Sequence, residues 1–211
     1  MPIHVTVPDL TPVSLVAKAE VSPRESIAVE WRIQNMGDAT ATKWNPAFFG
    51  QWNDRLYLST NQTVHAGSHW LGFYYQSGGQ SYVWQTPLPV GETMTNTQNI
   101  AVPEVAEGDY FLVLSADADN YVREVNETNN LLAVPIKVGS VDLVPALLTA
   151  PAAADAHSAI QVAWRVNNQG TSRVYPDWYD RLYLSTDNTY DAQDILVGEF
   201  QQLNQIPAGT N

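Results

Sequence analysis

Ile27-Ala28-Val29-Glu30-Trp31-Arg32-Ile33-Gln34 sets an apolar side chain at every second position. A period of two places Ile27, Val29, Trp31 and Ile33 on one face of an extended strand, as a half-buried strand requires. The pattern returns in Ile160, Val162, Trp164 and Val166, separated by Gln161, Ala163 and Arg165. Turn formers close both stretches, Asn35-Met36-Gly37-Asp38 after the first and Asn168-Gln169-Gly170 after the second. Leu56 and Leu58, Leu182 and Leu184, Tyr110, Leu112 and Leu114, and Val134, Ile136 and Val138 alternate in the same way. No stretch carries convincing helical periodicity. Short strands divided by turns predict an all-β chain of antiparallel β-sandwiches, with Trp31 in the core.

The sequence repeats itself. Asp9-Leu10, Trp31-Arg32 and Gly37 return as Asp142-Leu143, Trp164-Arg165 and Gly170, each 133 positions later. Asp54-Arg55-Leu56-Tyr57-Leu58-Ser59-Thr60 recurs unchanged as Asp180-Arg181-Leu182-Tyr183-Leu184-Ser185-Thr186, at an offset of 126. Pro89 and Gly91 match Pro207 and Gly209 at 118, so the first copy carries insertions of 7 and then 8 residues. Pro2-Ile3-His4-Val5 aligns with Pro135-Ile136-Lys137-Val138. The expected division is therefore 1–7 as the last strand of a preceding repeat or a donor strand, 8–140 as a complete module, and 141–211 as the N-terminal half of a second. The second copy is expected to be incomplete.

Composition narrows the function classes. Apolar residues make up 45% and charged residues only 15%, with a net charge of −12. This suits a folded chain and provides no basic field for nucleic acid or an anionic membrane surface. No apolar run approaches the roughly 20 residues that span a bilayer. The start of the chain lacks the basic and apolar regions of a secretory signal. Cysteine is absent, which excludes disulfides and thiol chemistry.

The ordered motifs resemble the CARDB family, the cell adhesion related domain of bacteria. They are Pro8-Asp9-Leu10 and Val141-Asp142-Leu143, the two strands ending in Asn35 and Asn168, the repeated Asp-Arg-Leu-Tyr-Leu-Ser-Thr, and Asp187-Asn188-Thr189-Tyr190-Asp191-Ala192-Gln193-Asp194. Gly108-Asp109-Tyr110 and Glu124-Val125-Asn126-Glu127-Thr128-Asn129-Asn130 complete the first copy. The resemblance implies tandem immunoglobulin-like sandwiches in large secreted or surface proteins, adhesins or stalks among them.

Three groups of residues are candidate sites. Asp187, Asn188, Asp191 and Asp194 place carboxylates in one loop between strands, a pattern able to offer oxygens to calcium. The corresponding residues of the first copy are Asn61, His65 and Ser68, which carry no carboxylate. Asp117, Asp119, Glu124 and Glu127 form a second acidic group with the same calcium reading; the alternative is that both groups satisfy backbone amides. Phe48, Phe49, Trp52, Tyr74, Tyr75, Tyr82 and Trp84 lie in or beside the first copy's insertions, as a surface for a polysaccharide or protein, or as packing over the sandwich. Asp54 and Asp180 suggest an ion pair or a turn contact.

No repeated combination of Ser, His and Asp supports catalysis, so no catalytic residue is assigned. The expected function is a structural or adhesion module of an extracellular or cell-surface bacterial protein or filament. Its expected partners are neighbouring modules or copies joined by strand addition, with surface polysaccharide as a further ligand. The alternatives are a carbohydrate- or protein-binding module and an accessory domain of a secreted hydrolase.

Overall fold

The structure, a computed structural model, describes residues 1–42, 52–75 and 87–210, with 73–75 by backbone alone. It divides into two units, Met1–Gly139 and Ser140–Asn211. Strands are the only regular elements among the described residues. No helix there is long and apolar enough to cross a membrane.

In unit 1, β1 (Leu10–Val16), β3 (Ser26–Asn35) and β6 (Thr93–Ala101) form a three-stranded sheet with β3 in the middle. A five-stranded sheet follows the order β2 (Glu20–Val21), β8 (Leu131–Val138), β7 (Gly108–Ser115), β4 (Asn53–Ser59) and β5 (His69–Tyr75). The alternating residues supply the core between the sheets. Val29, Trp31 and Ile33 of β3 meet Leu56 and Leu58 of β4 and Leu112 and Leu114 of β7, all buried. A tryptophan covers about 150–250 Å² of surface, so burying Trp31 contributes on the order of 4–6 kcal/mol before ordering costs are counted.

One pairing departs from the all-antiparallel expectation. Between β1 and β2 the chain leaves the first sheet for the second while keeping its direction, so β2 lies parallel to β8. Lys137 N–H donates to Ala19 O at 2.8 Å, and Gly139 N–H donates to Val21 O at 3.0 Å. Residues 1–9 form no strand, with Ile3 89% and Val5 72% exposed. Among the described residues no strand pairs with this expected closing strand; Val7 is pinned by exchanging hydrogen bonds with Asp38.

Unit 2 consists of two antiparallel ribbons, β9 (Leu143–Thr149) with β10 (Ala163–Asn168), and β11 (Trp178–Leu184) with β12 (Ile195–Gln202). They repeat the pairings β1–β3 and β4–β5. The environment differs sharply, however: Leu58 is 2% exposed, whereas its counterpart Leu184 is 64% exposed. Strands β3 and β4 have a neighbour on each side, while β10 and β11 each pair with a single strand among the described residues.

This difference predicts unequal costs for one substitution. Trp31→Ala should destabilise unit 1 by about 3–5 kcal/mol, read by urea denaturation. Trp164→Ala, at a partly exposed position of unit 2, should cost distinctly less.

Candidate functional site

The same polar clasp is built twice. Trp31 Nε1 donates to Asp54 Oδ2 at 2.8 Å, and Trp164 Nε1 donates to Asp180 Oδ2 at 2.8 Å. Asp54 and Asp180 open the identical seven-residue run, so both work by receiving the indole of the facing sheet. The ion pair considered for Asp54 falls elsewhere: Arg55 reaches Asp119 at 2.6 Å.

The asparagines that end the tryptophan strands form a second repeated clasp. Asn35 Oδ1 accepts from Asp9 N–H and Gly37 N–H, both at 3.1 Å, while its Nδ2 donates to Ala39 O and Leu88 O. Asn168 Oδ1 accepts from Asp142 N–H and Gly170 N–H, and its Nδ2 donates to Ser172 O and Pro207 O. Each side chain ties together segments distant in sequence. Glycine is required beside both, because a Cβ on Gly37 would lie 2.4 Å from Val7 O, and one on Gly170 would lie 2.4 Å from Ser140 O.

The acidic group of unit 1 lies between β7 and β8 and near the start of β1. Asp117 accepts from Tyr121 N–H at 3.0 Å and Val122 N–H at 2.7 Å. Glu124 accepts from Leu10 N–H and from Asn130 Nδ2, holding β1 against the final loop. Glu127 accepts from Glu124 N–H at 3.0 Å, and Asp119 from Asn53 Nδ2 at 2.6 Å as well as from Arg55. Burial pushes Asp54 up to about 8, against the opposing effect of the Trp31 indole N–H and the Asp117 amide. Burial also raises Glu124 to about 8 and Asp117 to about 6, again against the amides that donate to them.

The acidic loop of unit 2 has comparable internal bonding. Asp187 Oδ1 accepts from Thr189 N–H, Asp191 Oδ1 from Gln193 N–H, and Asp194 Oδ2 from Asp191 N–H, at 2.7–3.0 Å. Unit 1 makes the same three bonds with residues that carry no carboxylate. Asn61 Oδ1 accepts from Thr63 N–H, His65 Nδ1 from Gly67 N–H, and Ser68 Oγ from His65 N–H. These positions require an acceptor for a turn amide, whatever its charge. Among the described residues, no group of three or more His, Asp or Glu side chains is arranged to hold a metal ion.

Of the aromatic candidates, Phe48, Phe49, Tyr82 and Trp84 lie outside the described residues. The backbones of Tyr74 and Tyr75 end β5. Trp52 is 2% exposed and sits in the core cluster. Its counterpart is Trp178, at the same offset as the seven-residue run that follows. That offset marks Trp52 as part of the repeat rather than of the insertion before it.

The CARDB family model matches residues 7–134, more than half of the chain. The chain belongs to the CARDB family. CARDB is a cell-adhesion-related, non-catalytic domain family found in bacterial surface and extracellular proteins. Among solved structures, the chain is similar to a CARDB domain from Pyrococcus furiosus, crystallised in complex with di-metal ions. That match has 20% identity and a TM-score of 0.44, covering 65% of this chain and 94% of that one. It is also similar to β-glucosidase 3B from Thermotoga neapolitana, solved with glucose, at 14% identity and a TM-score of 0.37. This second match covers 62% of this chain and 16% of the glucosidase. No curated protein matches the chain.

Two measurements follow from the carboxyl groups of the two units. Carboxyls with raised folded-state pKa values bind protons more tightly folded than unfolded, so their stabilising contribution is present at low pH and lost as pH rises. The melting midpoint of unit 1 should therefore fall between about pH 4 and pH 8, and Asp54→Asn should flatten that slope. For the unit 2 loop, the capping bonds predict an unchanged midpoint in millimolar calcium; a rise abolished by Asp191→Asn would identify a cation site.

Proposed function

We propose that this chain is a structural and adhesive module of an extracellular bacterial surface protein, giving length, stiffness and display in series with neighbouring CARDB modules. The observation that carries this reading is the double construction of the Trp–Asp and Asn clasps. In both units these polar side chains are spent on holding backbone segments together. Such internal satisfaction of buried polar groups stabilises one rigid arrangement. It suits a load-bearing module better than a site that must bind and release a substrate. The net charge of −12 fits a module kept soluble in an exposed setting.

Surface polysaccharide is the ligand class this reading tests first, through the aromatic insertions of the first copy. On a glycan array, selective binding should be lost in Trp84→Ala. For location, antibodies against the chain should label intact cells of the source organism, and external protease should remove the signal. Labelling that appears only after permeabilisation would refute the surface reading.

A further inference from the structure

The first strands of unit 1 are fastened directly to its last one. Strand β2 runs parallel to β8, with Glu20 beside Lys137 and Val21 beside Val138. Lys137 N–H donates to Ala19 O, and Gly139 N–H donates to Val21 O. The other end of the same stretch is tied to the loop that leads into β8. Val125 N–H donates to Pro8 O at 2.9 Å, and Leu10 N–H donates to Glu124. Asn129 Nδ2 donates to Asp9 Oδ1 and to Thr11 Oγ1, both at 2.9 Å. Residues 8–21 are thus held at both ends to residues 124–139, from which the chain passes on to unit 2.

Chain direction decides how such a pairing meets tension. A module in series with others is pulled ahead of its first strand and beyond its last. Parallel strands pulled in this way slide along each other, so their bonds are loaded together. Antiparallel neighbours pulled from adjacent ends separate one bond at a time, each bearing the full load in turn. A single backbone hydrogen bond contributes little, so resistance comes from sharing the load. We propose that unit 1 carries tension through a clamp made by β2 on β8 together with the contacts of residues 8–11 to residues 124–129. The clamp passes force from the first strands to the last, and the core opens only after the clamp has slid.

The inference takes its purpose from the load-bearing reading, yet the clamp is a property of the folded unit. Purified protein tests it without reference to any cell. A failed surface-labelling experiment therefore leaves the clamp standing, and a failed clamp leaves the surface location standing.

Because the chain has no cysteine, two introduced thiols can serve as handles for pulling the full chain. Ile3→Cys with Val141→Cys, both at exposed positions, loads the clamp in shear. Ala106→Cys with Val141→Cys draws β7 and β8 apart from adjacent ends, since Gly108 pairs with Val138. At one fixed force, the first arrangement should open on the order of tenfold more slowly than the second. Lys137→Pro removes the N–H that Ala19 accepts. Proline already stands at position 135 on the same side of β8, so the strand backbone accepts it there. This variant should speed opening in the first arrangement about fivefold, the equivalent of one lost hydrogen bond. Asn129→Ala should act in the same way from the other end of the clamp. Val29→Ala, in the core, should lower the melting midpoint yet keep the difference between the two pulling directions. Equal opening rates in the two directions overturn the proposal. So does a difference that survives undiminished in both Lys137→Pro and Asn129→Ala; if Lys137→Pro fails to fold, Asn129→Ala decides alone.

Discussion

The hydrogen bond from Trp31 Nε1 to Asp54 Oδ2 joins the middle strand of one sheet to the second sheet across the buried centre of unit 1. A buried indole N–H and a buried carboxyl each cost several kcal/mol if left without partners. Their pairing therefore sets the alignment of the two sheets along β3 and β4. With these sheets aligned, Asp54 Oδ1 accepts from Asp117 N–H at 3.3 Å, and Asp117 in turn caps the amides of Tyr121 and Val122. The irregular loop between β7 and β8 is thus organised outward from the central pair. Glu124 then extends the same network to the first residue of β1.

Unit 2 shows how little of this depends on complete burial. Trp164 and Asp180 form the same bond at the same 2.8 Å, although their surroundings are more open and β10 and β11 each have one neighbouring strand among the described residues. Gln202 Nε2 also donates to Asp180 Oδ2 at 2.8 Å. The local clasp forms from the pairing of two ribbons. Covering the apolar stripe is a separate step that needs further strands.

The acidic residues illustrate a general difficulty in reading sites from composition. Carboxylates spaced within one loop match both a cation site and a set of turn caps, because each use requires oxygens close together. The comparison between copies shows that the caps themselves need no carboxylate. Asn61, His65 and Ser68 make the bonds that Asp187, Asp191 and Asp194 make, so the turn selects for an acceptor atom rather than a charge. For Trp52 the two readings, recognition surface or core, were likewise separable in principle by its recurrence as Trp178.

Periodicity and repetition determined much of this protein directly. The alternation of Ile27, Val29, Trp31 and Ile33 specifies a one-sided strand because side chains in a strand alternate faces, whatever the rest of the chain does. The offsets of 133, 126 and 118 locate the repeat and its insertions, since unchanged spacing reflects unchanged local structure. Only the tertiary structure decided which sheet β2 joins, which carboxylates cap which amides, and that Asp54 answers Trp31 rather than an arginine. The first and last of these depend on contacts between residues 23 to 118 positions apart. Such distances are set by how two sheets stack, and no local pattern of residues encodes them.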